Sequence, residues 1–211
     1  MLLGAGARAV FLPADWLALR RHDEVRRAWW QLRRAAGARP PHRPSFEAIR
    51  SAQAAGLQAG ALTFGDTPVS LAIALLRGAG VTTGDVLLDP LAGRGHVLLA
   101  ARSLGAQARG LEIDGAHVGV AAEILAAAGA VLETGDARFA DFSAATCVYL
   151  AWTCLAVDAR ARIGERLAAL TPGTRVIALT WEPSSSCFAV VARSRRRFPW
   201  GLADVIYARR R

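Results

Sequence analysis

Three carboxylates, Asp89, Glu112 and Asp136, each follow an apolar run, and the first is trailed by the paired glycines Gly93 and Gly95. Val86-Leu87-Leu88-Asp89-Pro90-Leu91-Ala92-Gly93-Arg94-Gly95-His96 reads as strand, tight turn and helix N-terminus, the ligand-facing end of an open α/β sheet. A dinucleotide site wants a small residue three positions after the second glycine so that helix and strand pack closely, and Leu98 stands there. An acid at the end of the first strand instead suits a ligand with a cationic amino and sulfonium end and no pyrophosphate to repel. Glu112, about 20 residues beyond the loop, can accept from both hydroxyls of a ribose at once, and Asp136 is placed to accept an adenine amino group. Singly, each feature also fits a turn or a helix cap. Their order selects S-adenosylmethionine as the ligand.

The rest of the chain reads as the scaffold for these tips. Residues 14–36 carry a helical stripe of Val25, Ala28, Trp29, Leu32 and Ala36 with arginines around the other faces. Trp30 cannot share a core with its neighbour Trp29, which makes it a candidate for contact with a substrate or another helix. A proline-rich connector follows over residues 38–44, then Ser45 caps a short helix bearing Phe46 and Ile49. Phe64 lies in a loop ahead of Thr67 and Pro68, which read as N-cap and first helical position of a helix buried through Val69, Ile73, Leu76 and Val81. Apolar runs at 146–152 and 173–181 are further strands, separated by a helix over 157–170. Two more strands, 187–192 and 203–207, are joined by residues 193–201. The expected fold is α/β: a Rossmann-like, seven-stranded, mostly parallel sheet with a C-terminal antiparallel hairpin. An N-terminal helical extension (1–60) precedes the main domain (61–211).

Composition narrows the classes. At 211 residues the chain can bury a full core, and no run reaches the roughly 18 apolar residues of a spanning helix, so a soluble, cytoplasmic protein without a secretory leader is expected. Cys147, Cys154 and Cys187 lack metal-ligand spacing, so they read as reduced thiols and no metal is expected. Every one of the 26 basic residues is Arg, and they crowd the ends: ten against four acids over residues 8–50, seven against one over 193–211. Two basic surfaces beside an acidic cleft would attract an anionic partner. Equally, an arginine-biased composition would put Arg at every solvated basic position.

With these residues in view, the chain from Thr63 to Arg209 resembles a class I S-adenosylmethionine-dependent methyltransferase. Within that superfamily it is similar to the seven-stranded protein lysine methyltransferases, the histone-core enzymes of telomeric silencing and their archaeal and mitochondrial relatives. The shared features are Thr67-Pro68, Gly84-Asp85-Val86-Leu87-Leu88-Asp89, Gly110-Leu111-Glu112, Gly135-Asp136, a fourth strand ending without an acid, and Pro199-Trp200-Gly201 in the last hairpin. Leu91 stands where the lysine enzymes carry an extra glycine, and Asp89-Pro90-Leu91-Ala92-Gly93-Arg94-Gly95 echoes the Asp-Pro-x-x-Gly-x-Gly of nucleic-acid methyltransferases. The resemblance implies that Thr67 and the glycine loop hold the methionine end, Glu112 the ribose, and Asp136 with Ala137 the adenine. Phe64, Leu91, Ala92, Ile113 and Ala151 complete the expected donor site. Ala151, Trp152 and Thr153, just past the fourth strand, are expected to face the transferring methyl group. Trp152, Trp181 and Trp200 are the candidates for an aromatic acceptor channel, in which burial would favour a neutral lysine amine. A protein lysine is thus the expected acceptor. A nucleic acid drawn by the Arg-rich ends, a small molecule, and a non-enzymatic cofactor-binding module are the alternatives.

Overall fold

The computed structural model describes residues 11–36, 65–184 and 186–211, together with residues 49, 50, 53 and 56. The expected helix at Ser45 and the position of Phe64 lie outside the described residues.

Short, almost unbroken apolar runs make the central strands, as both faces of a parallel sheet are covered. In chain order these are β1 (Val86–Asp89), β2 (Gln107–Glu112), β3 (Ala130–Thr134), β4 (Cys147–Leu150) and β5 (Arg175–Leu179), all parallel to one another, followed by β6 (Phe188–Phe198) and β7 (Gly201–Arg210). The sheet order is β3-β2-β1-β4-β5-β7-β6, with β7 antiparallel to both of its neighbours. This is the seven-stranded, mostly parallel sheet with a closing hairpin that the sequence led us to expect.

Alternation along β4 divides the core in two. Cys147 and Tyr149 face the layer formed by α1 (Leu12–Leu19), α2 (Asp23–Ala36), α3 (Val69–Gly78), α4 (His96–Ser103) and α5 (Gly115–Ala126), whereas Val148 and Leu150 face α6 (Val157–Ala168). Among the described residues no helix is long and apolar enough to cross a membrane.

Three local expectations give way to tertiary demands. The single helix over 14–36 is two helices, α1 and α2, parted at residues 20–22 with no Gly or Pro to announce the break. Asp23 and Glu24 open α2 and Arg33 and Arg34 close it, matching the helix dipole. The break frees α1 to deliver Asp15, whose buried carboxylate accepts from Ser70 N at 2.8 Å and from the Ser70 hydroxyl. The N-terminus of α3 is therefore capped from another helix. Thr67 makes no cap: Pro68 holds the N-cap position, and the Thr67 hydroxyl hydrogen-bonds the Tyr149 hydroxyl at 2.9 Å. Finally, most of the supposed 193–201 connector is strand. Arg193, Arg195, Arg196 and Arg197 extend β6 to Phe198, leaving only Pro199 and Trp200 as the turn. An outer strand this rich in charge discourages pairing with other chains, and its lack of apolar alternation hid it from periodicity.

At the edge of the sheet away from the strand tips, Arg175 donates to the carbonyls of Ala79 (3.3 Å) and Gly80 (2.7 Å) and pairs with Asp85. Burial works against the Asp85 charge, but hydrogen bonds from Thr146, Thr82 and Arg175 outweigh it and hold the carboxyl below its usual range.

Candidate functional site

β1 to β4 end around one cavity of about 1070 Å³, open mouth included, lined by Asp89, Leu91, Ala92, Glu112, Ile113, Asp136, Ala137, Ala151 and Thr67 among others. Parallel strands place their carboxyl ends together, and a change in strand order beside β1 leaves a crevice there. Of the expected donor-site residues, these nine converge. Gly93 and Gly95 lie just behind the wall, and Phe64 is outside the described residues.

Asp89 is the last residue of β1 and only 2% exposed. Its carboxylate accepts the Leu91 N–H at 3.1 Å, and among the described residues no cation pairs with it. Burial first, then the nearby Glu112 charge, pushes its pKa up to about 7 against the help of that N–H.

Glu112 ends β2 and braces two loops at once. One oxygen accepts from Gly93 N at 2.8 Å, the other from Asp114 N at 2.8 Å. Burial raises its pKa in spite of these two donors and the nearby His117. Asp136, two residues past β3, accepts from Arg138 N at 2.9 Å and grips the Arg138 guanidinium at 2.7 to 3.1 Å. That hydrogen bonding raises the guanidinium pKa further.

The glycine loop reaches β2 because Gly110 has no side chain. Ala92 N donates to Leu111 O at 2.9 Å, and a Cβ on Gly110 would sit 2.7 Å from Ala92 Cβ and 2.8 Å from Leu98 Cδ1. Gly95, at the head of α4, takes φ = 77°, a left-handed turn that glycine alone adopts without cost. Gly110→Ala should therefore overpack the loop, costing about 1–3 kcal/mol, read as a lower urea midpoint at unchanged slope.

Tyr149 is the site residue that periodicity missed. It reads as core, and at 1% exposed it is core, yet it lines the cavity beside Asp89 and holds Thr67. Its burial keeps the phenol neutral. A tyrosine in a buried central strand must find a partner for its hydroxyl, and that was the available signal. Asp66 and His96 were also missed. Asp66 pairs with the buried Arg94 at 2.7 Å and with His96 Nδ1 at 3.0 Å, tying the segment before α3 to the head of α4.

The four candidates on the acceptor side, Trp152, Thr153, Trp181 and Trp200, line no part of this cavity. Trp152 is 3% exposed in the core on the α6 side, its indole N–H donating to Trp181 O at 3.0 Å. Thr153 and Thr180 hydroxyls meet at 3.0 Å, and Thr180 holds φ = 72°, among the described residues the one non-glycine with positive φ. Trp181 is exposed, with the Arg160 guanidinium 4.1 Å over its ring. These three form a cluster next to Cys154 and Leu155, which do line the cavity. Trp200 stands apart, stacked on Phe198 at 4.6 Å and pressed against Gly65. Among the described residues no group of acidic, His and Cys side chains is arranged to hold a metal ion.

No protein-family model matches the chain, and no curated protein matches it. Solved structures do. An RNA methyltransferase from Salinibacter ruber in complex with S-adenosyl-L-homocysteine is 28% identical, over 68% of this chain and 91% of that one, with a TM-score of 0.54. TrmN from Thermus thermophilus is 24% identical over 78% of this chain, which spans about half (53%) of that protein, at TM-score 0.58. The tRNA (uracil-54, C5)-methyltransferase of Pyrococcus abyssi, also with S-adenosyl-L-homocysteine, is similar at 15% identity over 69% of this chain and 40% of that one, TM-score 0.51.

Proposed function

We propose that this chain, which carries the class I S-adenosylmethionine-dependent methyltransferase fold, uses the crevice at its strand tips to bind S-adenosylmethionine and methylates an RNA. The observation that carries the donor is Asp89: a carboxylate buried without a cation, lining the cavity, invites a ligand that brings one. The rest of the wall fits the same ligand. Leu91, Val97, Ile113, Ala137 and Ile163 give an apolar slot, and Glu112 and Asp136 supply acceptors at its rim. Glu112 would take ribose hydroxyls with the lone pairs not spent on Gly93 and Asp114. Thr67, fixed by Tyr149, would bound the amino-acid end.

S-adenosylmethionine supplies an electrophilic methyl group on a sulfonium. The chain is then left to position a nucleophile in line and to keep water out. A buried floor of Asp89, Tyr149 and Thr67 suits the second task.

The acceptor rests on the similarity to an RNA methyltransferase at 28% identity and on the Arg-rich ends of the chain. This favours the nucleic-acid alternative over the protein lysine that the sequence resemblance put first. The four aromatic and hydroxyl candidates lie outside the donor cavity, so the lysine channel gains no support from it. The test is methyl transfer from labelled donor into a cell extract, divided by ribonuclease, deoxyribonuclease and protease. Label that ribonuclease releases is the expected result. Label that only protease releases would restore the lysine reading.

A further inference from the structure

α2 is amphipathic in an unusual way: its outer face is a tryptophan set among arginines. Trp29 and Leu32 are buried, 1% exposed each, while Trp30 is 44% exposed between Arg27 and Arg34, one turn to either side. From Arg26 to the helix end there are four arginines and no acid. Arg26 is paired with Asp23 at 2.7 Å, and Arg33 lies over the Trp29 ring at 5.5 Å. Among the described residues no carboxylate pairs with Arg27 or Arg34. In the other basic stretch Arg193 binds Glu182 at 2.9 Å and Arg195 faces Asp204 at 3.8 Å, and no exposed tryptophan stands among its arginines.

We infer that this face of α2 is a docking surface for single-stranded RNA, with Arg27 and Arg34 on phosphates and Trp30 stacked on a base. The inference rests on the RNA reading above and gives it a second contact. Seven residues of helix separate the two guanidinium-bearing positions by about 10 Å, close to the axial rise of about three nucleotides in a stacked strand. An exposed indole adds nothing for an acidic peptide, but it gives an unpaired base a face to lie on. The segment that follows α2 is no better an occupant, because Arg39, His42, Arg43 and Arg50 outnumber Glu47 in it and would repel the face. Position supports the same occupant. On its inner side α2 lends Trp29 and Arg33 to a recess of about 700 Å³, open mouth included, that shares Asp66, Thr67 and His96 with the donor cavity. The helix that carries the outer face thus also borders, through its inner side, a recess adjoining the donor cavity.

The test uses the full chain and a labelled single-stranded RNA of about 15 nucleotides, followed by fluorescence anisotropy from 50 to 300 mM salt. Neutralising Arg27 and Arg34 together (Arg27→Gln with Arg34→Gln) should weaken binding about tenfold and flatten the log–log salt slope by about 1.4. Arg162→Gln with Arg166→Gln makes the same charge change on α6, across the sheet, and should cost less than twofold. Trp30→Ala should lose about five- to tenfold with its salt slope intact, Trp30→Phe should recover most of that, and duplex RNA should not sense either change. Unchanged affinity for S-adenosyl-L-homocysteine reports that each variant is folded. If the α6 pair costs as much as the α2 pair, the binding is diffuse attraction and the surface falls. If the wild-type chain binds S-adenosyl-L-homocysteine but no RNA, the surface and the RNA acceptor fall together while the donor site stands. If α2 carries RNA yet all transferred label is protease-sensitive, the surface stands and the RNA acceptor falls.

Discussion

Asp89→Asn should cost at least about a hundredfold in affinity for S-adenosylmethionine and, at the same time, make the donor-free protein more stable above pH 7. Both effects come from one fact. The carboxylate is buried at 2% exposure with a single backbone donor, and its pKa is pushed up to about 7. In the unfolded chain the same group titrates near pH 4. Below that pH both states hold the proton and Asp89 leaves stability untouched. Between about 4 and 7 the folded protein keeps a proton that the unfolded chain has released, so stability falls as pH rises. Above about 7 the full penalty of a buried, unanswered charge is in place. Asparagine keeps an acceptor for Leu91 N and removes that charge, so its melting temperature should exceed the wild type's at pH 8 by several degrees and by about a third of that at pH 5. Binding runs the other way. A cationic ligand needs the carboxylate ionised, so wild-type affinity should climb from pH 5.5 to about 7 and then level, whereas the Asn variant should be weak and flat throughout. Removing one partner of a desolvated charge pair costs about 2–5 kcal/mol, which sets the hundredfold figure. Titration calorimetry over pH 5.5–8.5, beside thermal melts of the donor-free protein, measures both. A variant that binds like wild type, or wild-type affinity indifferent to pH, would remove Asp89 from the donor site.

The parts of this site that the sequence revealed are the parts that local chemistry dictates. An acid closing an apolar run, as at Asp89 and Glu112, is both a strand end and a tip residue, and parallel strands bring such tips together whatever the helices do. Gly93 and Gly95 were legible because a tight turn needs their positive φ of 54° and 77°. What stayed hidden depends on partners distant in the chain. Tyr149 joins the site through a hydroxyl that reaches Thr67, 82 residues away. Asp15 caps α3 across 55 residues, so Thr67, which looks like the cap, is released for the cavity while Pro68 takes the N-cap position. Trp152 shows the converse. Standing just past β4, it looked like a tip residue, but its side chain points with Val148 and Leu150 to the α6 side, as alternation along the strand requires. The same rule puts Ala151 on the cavity side, with Tyr149.

Glu112→Gln should be nearly as damaging as Glu112→Ala, although it preserves shape and volume. The two carboxylate oxygens of Glu112 each receive a backbone N–H at 2.8 Å, from Gly93 in the glycine loop and from Asp114 at the head of α5. A glutamine has one oxygen to offer, and its NH₂ must then confront the other N–H donor. One buried amide is left unpaired whichever way the side chain turns, and a lost bond to a charged acceptor of this kind is worth about 1.5–3 kcal/mol. The glycine loop or the α5 cap must therefore loosen. The donor loses twice, since the acceptor for its ribose is weakened and the wall behind it moves. A drop in affinity for S-adenosyl-L-homocysteine of about a hundredfold is expected for both Gln and Ala, with a lower melting temperature in each. Asn at 89 still answers its single backbone donor and gains by losing a buried charge, whereas Gln at 112 leaves one of two backbone donors without an acceptor, and that loss outweighs the relief of a charge that burial already disfavours. Amide hydrogen exchange should show where the loosening falls: faster exchange at Gly93 or Asp114 in the Gln variant, with the β4 amides unchanged. Glutamine melting and binding like the wild type would mean that Glu112 neither braces the loop nor holds the donor, and the crevice would lose its second acid.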